Sequence, residues 1–329
     1  MKIFHIAFCF LFIHSCISAQ DINKNDQKIN VIFNDSAVQY VLKNPVKALK
    51  EREFIWNNFD GYRITLVWHR ESSFPVDWKY WEKCMNTFIN KDTSLMRKTL
   101  ELSNNLMALE KRGHDKIVGH LSTFFPNNIS YDAYVYLVVS TVPYAFCVEQ
   151  NKIGIDITGD EWYFDPEYVL NVVIHELFHA GYRTFTADKK YLNEDPIDRE
   201  TFIRFCYAYT LNEGMASYVG YKALDLFPTN NRHKDYKLLE NDSTVKIAIE
   251  HVNDLLYLSD KLPIDSLNKL AWDIGVGKRA YYVTGAYIAK TVEENSGREH
   301  LAALLQKGGY EFVKEYNSIA PKELKIALL

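Results

Sequence analysis

The sequence predicts an α+β fold dominated by helices, with a small antiparallel or mixed sheet and an N-terminal helical region. Three observations lead there. Several long segments carry apolar residues at a spacing near 3.6, the period of an amphipathic helix. Two neighbouring short segments, Ala133 to Ser140 and Lys152 to Ile157, are rich in β-branched and aromatic residues or alternate with period two. No internal repeat or low-complexity linker interrupts them. At 329 residues and 47% hydrophobic content, the chain can bury one large core or two modest ones. The formal net charge is only −4, and there is no basic stripe, C-x-x-C pair or RNP-like aromatic motif, so nucleic-acid binding has no support.

In chain order, residues 1–19 read as a secretory signal: Lys2 precedes the apolar run Ile3 to Ile13, and a small-residue stretch follows. Cleavage after Ala19 would take the formal charge from −4 to −5 by removing Lys2. A lipoprotein anchor at Cys16 is the less favoured alternative, because His14 before Ser15 is unusual there. The apolar run falls short of the roughly 18 residues a spanning helix needs. No later segment is long and apolar enough to cross a membrane.

From residue 20 to 128 the pattern is mostly helical, over Ser36 to Leu49, Pro75 to Phe88 and Thr93 to Lys111, with Phe59-Asp60-Gly61-Tyr62 as a turn. Trp68, Trp78 and Trp81 favour packing over ligand binding. This region could be a domain, a propeptide or a wall of a cleft. Pro126-Asn127-Asn128 marks its boundary with a second part, residues 129–329. There, Asp165 fits an N-cap, Pro166 the first helical position and Glu167 the positive end of the dipole. The apolar run Tyr168 to Ile174 continues that helix, and Gly181 is placed to end it. A second long helix is expected from about Thr201 to Lys222, and a third from Ala280 to Glu294 with Gly297 closing it. Cys84, Cys147 and Cys206 remain after cleavage, allow at most one disulfide, and read as buried small hydrophobes.

His175-Glu176-Leu177-Phe178-His179 carries the chemistry. Histidines four apart on a helix share a face and can hold one zinc ion through their imidazole nitrogens. Such an ion lowers the pKa of a bound water from about 15.7 to about 7, and Glu176 lies one residue from the first ligand, placed to take that proton. A catalytic zinc takes three protein ligands and keeps one position open. The metzincin continuation is excluded, since Tyr182 and Phe185 stand where it needs glycine and histidine. Glu213, within Leu211-Asn212-Glu213-Gly214-Met215-Ala216-Ser217, would complete a His, His, Glu set. The segment Thr184 to Glu200 offers competing carboxylates at Asp188, Glu194, Asp195 and Glu200.

On these residues the chain resembles the gluzincins, zinc peptidases whose third ligand is a glutamate on the helix after the H-E-x-x-H helix, often within Asn-Glu-Gly-x-Ala. It is most similar to poorly characterised, exported bacterial families of zinc-dependent peptidases. The chain departs from the thermolysin-like members in two ways: 33 residues separate His179 from Glu213, and Ser217 stands where those members have aspartate. The resemblance implies a zincin-like catalytic domain over 129–329 and a substrate-pairing strand near Tyr144 to Ile157, although an interior sheet without substrate contact remains equally open. It also implies that Tyr282, in a Tyr-x-x-Gly, donates to the oxyanion; His233 and His251 are rival donors. The expected activity is an exported zinc peptidase, secreted or periplasmic, acting on a peptide or protein substrate. The absence of Gly-x-Met-Glu-Asn favours an endopeptidase. Two other readings are a zinc-containing protein that binds peptide or glycan without cutting it, and a zinc that only staples two helices.

Overall fold

The computed structural model describes residues 27–71, 78–91, 93–140, 145–148, 151–158, 162 and 164–329. The expected signal segment and Cys16 lie outside the described residues. The fold is helix-dominated with one mixed four-stranded sheet, as the periodicities predict.

The N-terminal part opens with a strand, β1 (Lys28–Asn34), which the helical reading of residues 20–128 did not anticipate. Helices α1 (Ser36–Lys43), α2 (Pro45–Lys50), α3 (Arg52–Asn58), α4 (Asp60–Glu71), α5 (Trp78–Lys91) and α6 (Thr93–Ser122) follow. The single helix expected over Ser36 to Leu49 is broken at Asn44 (φ −139°, ψ 60°), because the ring of Pro45 drives the preceding residue out of the helical region. The turn expected at Phe59 survives as the break between α3 and α4. Gly61 itself serves close packing: a Cβ there would lie 2.6 Å from Val138 Cγ1.

Three strands come next: β2 (Ser130–Val138), β3 (Ala145–Val148) and β4 (Lys152–Asp156). The sheet order is β1-β2-β4-β3, with β1, β2 and β4 parallel and β3 antiparallel to β4 at one edge. The parallel pairing of β1 with β2 requires a crossover, which α1 to α6 supply. Helix α4 packs on β2, β3 and β4, where Ile64 joins Tyr136, Phe146 and Val148 in a small apolar cluster. Val135, Leu137, Ile153 and Ile155 belong instead to the main core, beneath α7 (Pro166–Phe185). Trp81 is fully buried, and both its indole N–H and the Tyr62 hydroxyl donate to the Val139 carbonyl, at 3.0 and 2.9 Å. The side chain of Trp78 lies outside the described residues.

The C-terminal part is a helical assembly: α8 (Lys189–Asn193), α9 (Arg199–Ala223), α10 (Lys234–Leu239), α11 (Asp242–Leu258), α12 (Ile264–Ala271), a π-helical turn over Trp272–Gly277, α13 (Ala280–Ser296), α14 (Arg298–Leu305) and α15 (Gly309–Ile319). Helix α9 is buried over most of its length and packs between α7 and α13. It crosses α13 where Gly214 meets Gly285. A Cβ on Gly285 would lie 1.8 Å from the Thr210 carbonyl oxygen and 2.7 Å from the Gly214 Cα. No helix of the described residues is long and apolar enough to cross a membrane.

That crossing yields a paired test. Gly285→Ala should destabilise the fold by about 1–3 kcal/mol or more through overpacking. Gly119→Ala, on an exposed helical position with nothing within 4 Å of the new methyl, should stabilise it by about 0.5–1 kcal/mol. Chemical denaturation of the two variants beside the parent measures both.

Candidate active site

Helix α7 starts where the sequence places it. Asp165 caps it by accepting from the Tyr168 N–H at 3.0 Å, and the same carboxylate accepts from Thr229 and Asn231 at 2.5 and 2.7 Å. The helix does not stop at Gly181 but runs to Phe185. Gly181 is needed inside it because a Cβ would strike the rings of Phe125 and Tyr131 at 2.5 and 2.8 Å. Helix α9 begins at a capping box between Asp198 and Thr201, and the excursion between the two helices carries α8.

This pairing of α7 with α9 brings His175, His179 and Glu213 together. The two Nε2 atoms are 3.1 Å apart, and Glu213 Oε2 lies 3.7 Å from His175 Nε2 and 3.4 Å from His179 Nε2. Tetrahedral ligands about 2.0–2.1 Å from one ion would be roughly 3.3–3.4 Å apart, so the three donors fit zinc. Among the described residues no fourth histidine, cysteine or carboxylate joins the cluster. Asn212 sets the orientation. Its Oδ1 accepts from His179 Nδ1 at 3.0 Å, which leaves Nε2 with its lone pair facing the cluster. Its amide Nδ2 donates to Glu213 Oε1 at 3.2 Å. In the sequence Asn212 stands out only as motif context; a polar residue beside the candidate ligand Glu213 on a buried helix is the available signal. Ser217, the departure from the thermolysin-like pattern, is buried with its hydroxyl unpartnered among the described residues.

Burial and charge pull against each other here. Burial alone would raise the pKa of Glu213, but the two histidines outweigh it and hold the carboxyl well below its usual range. Burial pushes His175 down, while for His179 the Glu213 carboxylate overcomes burial and pushes it up. The resulting site combines an ionised carboxylate with imidazoles, the donor chemistry of a zinc centre.

The cluster opens into a cavity of about 700 Å³ that also receives Glu176, Tyr282, Arg183 and the strand β3 through Ala145, Phe146 and Cys147. Glu176 is 8% exposed, with no hydrogen-bond partner among the described residues. The Tyr282 ring lies parallel to that of His175 at 6.2 Å. Burial first, then the Glu213 charge, raises its phenol well above the usual value, so it stays a protonated donor. Arg183 Nη1 donates to the Cys147 carbonyl at 2.9 Å and ties the edge strand to α7. Cys84, Cys147 and Cys206 remain as thiols, and burial pushes those of Cys147 and Cys206 up to about 12.

The competing carboxylates are elsewhere. Asp188 is buried and accepts from the Gly309 N–H at 2.6 Å, while Glu194, Asp195 and Glu200 are exposed and outside the cluster. His251 does not line the cavity. His233 does, stacked on Tyr168. Arg279 escaped the sequence reading. Its guanidinium lies 3.1 Å from the centre of the Tyr282 ring and forms two hydrogen bonds to buried Asp235, one of them Nε to Oδ1 at 2.8 Å. Its backbone is left-handed (φ 64°), a conformation uncommon outside glycine, at the N-cap of α13.

Residues 78–324 match the model of the family described as "Putative zinc dependent peptidase" (DUF5700). The chain belongs to that family. Among curated proteins and solved structures, nothing matches it. The match begins at the first residue of α5, so the N-terminal stretch before Trp78, with β1 and α1 to α4, falls outside the matched span. Family membership and the donor set together make zinc the cofactor of this family member.

The Asp235–Arg279 pair makes a pH prediction. Burial alone would raise Asp235, but its hydrogen bond to His233 and the Arg279 charge win and hold it far below the carboxylate range. A depressed folded-state pKa means stability that is present above the unfolded value of about 3.9 and is lost as pH falls below it. Asp235→Asn should cost about 3–5 kcal/mol at pH 7, because the buried guanidinium loses its counter-charge, and should flatten the fall in stability below about pH 4. Denaturation curves of the variant and parent across that range check it.

Proposed function

We propose that this chain is an exported gluzincin-type peptidase, an endopeptidase in which His175, His179 and Glu213 hold zinc and Glu176 is the general base. The observation that carries this reading is Glu176: a largely buried carboxylate with no hydrogen-bond partner among the described residues, lining the same cavity as the three donors. A site that only bound peptide or stapled helices would have no use for it, and a cluster of three donors among the described residues matches a catalytic zinc, which keeps a fourth position exchangeable. Zinc, when bound, supplies Lewis acidity that polarises the substrate carbonyl and acidifies a water.

The side chains then have separable tasks. Glu176 accepts the proton of the water as its oxygen attacks the scissile carbonyl carbon, and delivers it to the amide nitrogen as the C–N bond breaks. The Tyr282 hydroxyl donates to the oxyanion that forms, and Arg279 holds that ring against His175. The edge strand β3 offers backbone groups to an extended peptide, positioned by Arg183. An extended substrate pairing along an edge strand, with no motif for a free amine, is the basis for the endopeptidase assignment. Residues 129–329 form the catalytic part in this reading, and the helical stretch of 20–128 contributes β1 to its sheet and Trp68 to its cavity. Export rests on the signal-like residues 1–19 alone.

Two measurements test the assignment. Glu176→Gln should retain zinc while peptide turnover, followed by mass spectrometry on a diverse peptide mixture, falls by several orders of magnitude; substantial residual hydrolysis would remove Glu176 as base. Asn212→Ala should weaken zinc about 10- to 100-fold in a competitive chelator titration, and Glu213→Ala should weaken it further. Unchanged affinity in both would remove Glu213 from the ligand set.

A further inference from the structure

The chain carries a formal charge of −4, yet among the described residues its cavity is lined by five Lys and Arg side chains against two carboxylates. Both carboxylates, Glu176 and Glu213, belong to the catalytic cluster. The cations are distributed differently. Arg183 sits beside β3. Arg279 lies deep and is matched by Asp235, and Arg232 is matched by Glu240 at 2.6 Å. Lys234 and Lys237, at the exposed end of the wall, have no ion pair to a carboxylate among the described residues, and both border the cavity.

The two lysines are three apart on α10 and so share one face of it. The rest of that helix is anchored: Asp235, Tyr236 and Leu239 are buried, and Asp235 is tied to Arg279. Two ammonium groups are therefore held beside the cavity on a pinned element, neither in an ion pair among the described residues. Cations along a cleft with low-dielectric walls concentrate the field and favour an anionic ligand.

Resting on the reading of this site as a peptidase cleft, we propose that the Lys234–Lys237 wall is a subsite for a carboxylate carried by the substrate peptide. Carboxylates are the anionic groups an unmodified peptide owns. They come from two sources, an Asp or Glu side chain near the scissile bond or the C-terminal carboxylate. Each ammonium meets the carboxylate as a compact point charge, so the subsite selects charge and leaves the neighbouring side chains unspecified.

The test uses the zinc-loaded full chain with Glu176→Gln, to prevent turnover, and three sets of labelled peptides of one length. One set is neutral with Gln and a C-terminal amide, one replaces Gln by Glu at each position in turn, and one is neutral with a free C-terminal carboxylate. Binding is read by fluorescence anisotropy. At least one carboxylate set should bind about 5- to 10-fold tighter than the neutral set, the range two partly exposed charge pairs provide, and the gain should shrink with added salt. In Lys234→Gln/Lys237→Gln the ratio should fall to about one. Equal binding of all three sets, or a preference that persists in the double variant, overturns the subsite. Cleavage by the unmutated chain is measured separately: a binding preference without any cut would stand for the subsite while removing the peptidase reading beneath it.

Discussion

The burial of one carboxylate organises this protein. Glu213 is placed between α7 and α9 where an unpaired charge would be costly, and it is tolerated because two imidazoles and the Asn212 amide converge on it. Those partners require α7 and α9 to lie alongside one another in a fixed register. They also require a third helix to close the far side without displacing them. The contact of Gly214 with Gly285 allows that closure, since neither residue has a side chain to hold the helices apart. The same contact delivers the first turn of α13, and with it Arg279 and Tyr282, to the rim of the cluster.

A line of interactions follows from that placement. Asp235 holds Arg279, Arg279 lies on Tyr282, and Tyr282 stacks on His175. Arg279, left-handed at the N-cap of α13, is the joint of this line between Asp235 and Tyr282. On the opposite flank, Arg183 fixes the β3 edge to α7. The cavity thus has a polar floor at the cluster, a backbone wall at β3 and a cationic wall at α10, each attached to α7, α9 or α13.

Much of this was legible in the sequence, and the exceptions have physical causes. Asp165-Pro166-Glu167 announced the start of α7 because capping is a local event, and the period-two segments announced β2 and β4. His175, Glu176 and His179 were readable because one helix carries all three. Glu213 could be proposed from its context, but its distance from His179 in the chain left four rival carboxylates that only the folded excursion separates from the cluster. Gly181 was misread as an ending, since a glycine needed for close packing has the same letter as one needed for conformational freedom. The strand β1 was missed because its partner β2 lies about a hundred residues away. Arg279 and the α10 lysines carry no local signal at all, as their meaning depends on which helices α10 and α13 meet.

The most direct test of this account is anomalous diffraction at the zinc edge from crystals of the zinc-loaded chain. The account predicts one strong peak about 2.0–2.2 Å from His175 Nε2, His179 Nε2 and a Glu213 oxygen, with the fourth position held by no protein atom. A peak at another carboxylate, or one closed by a fourth protein ligand, would contradict it.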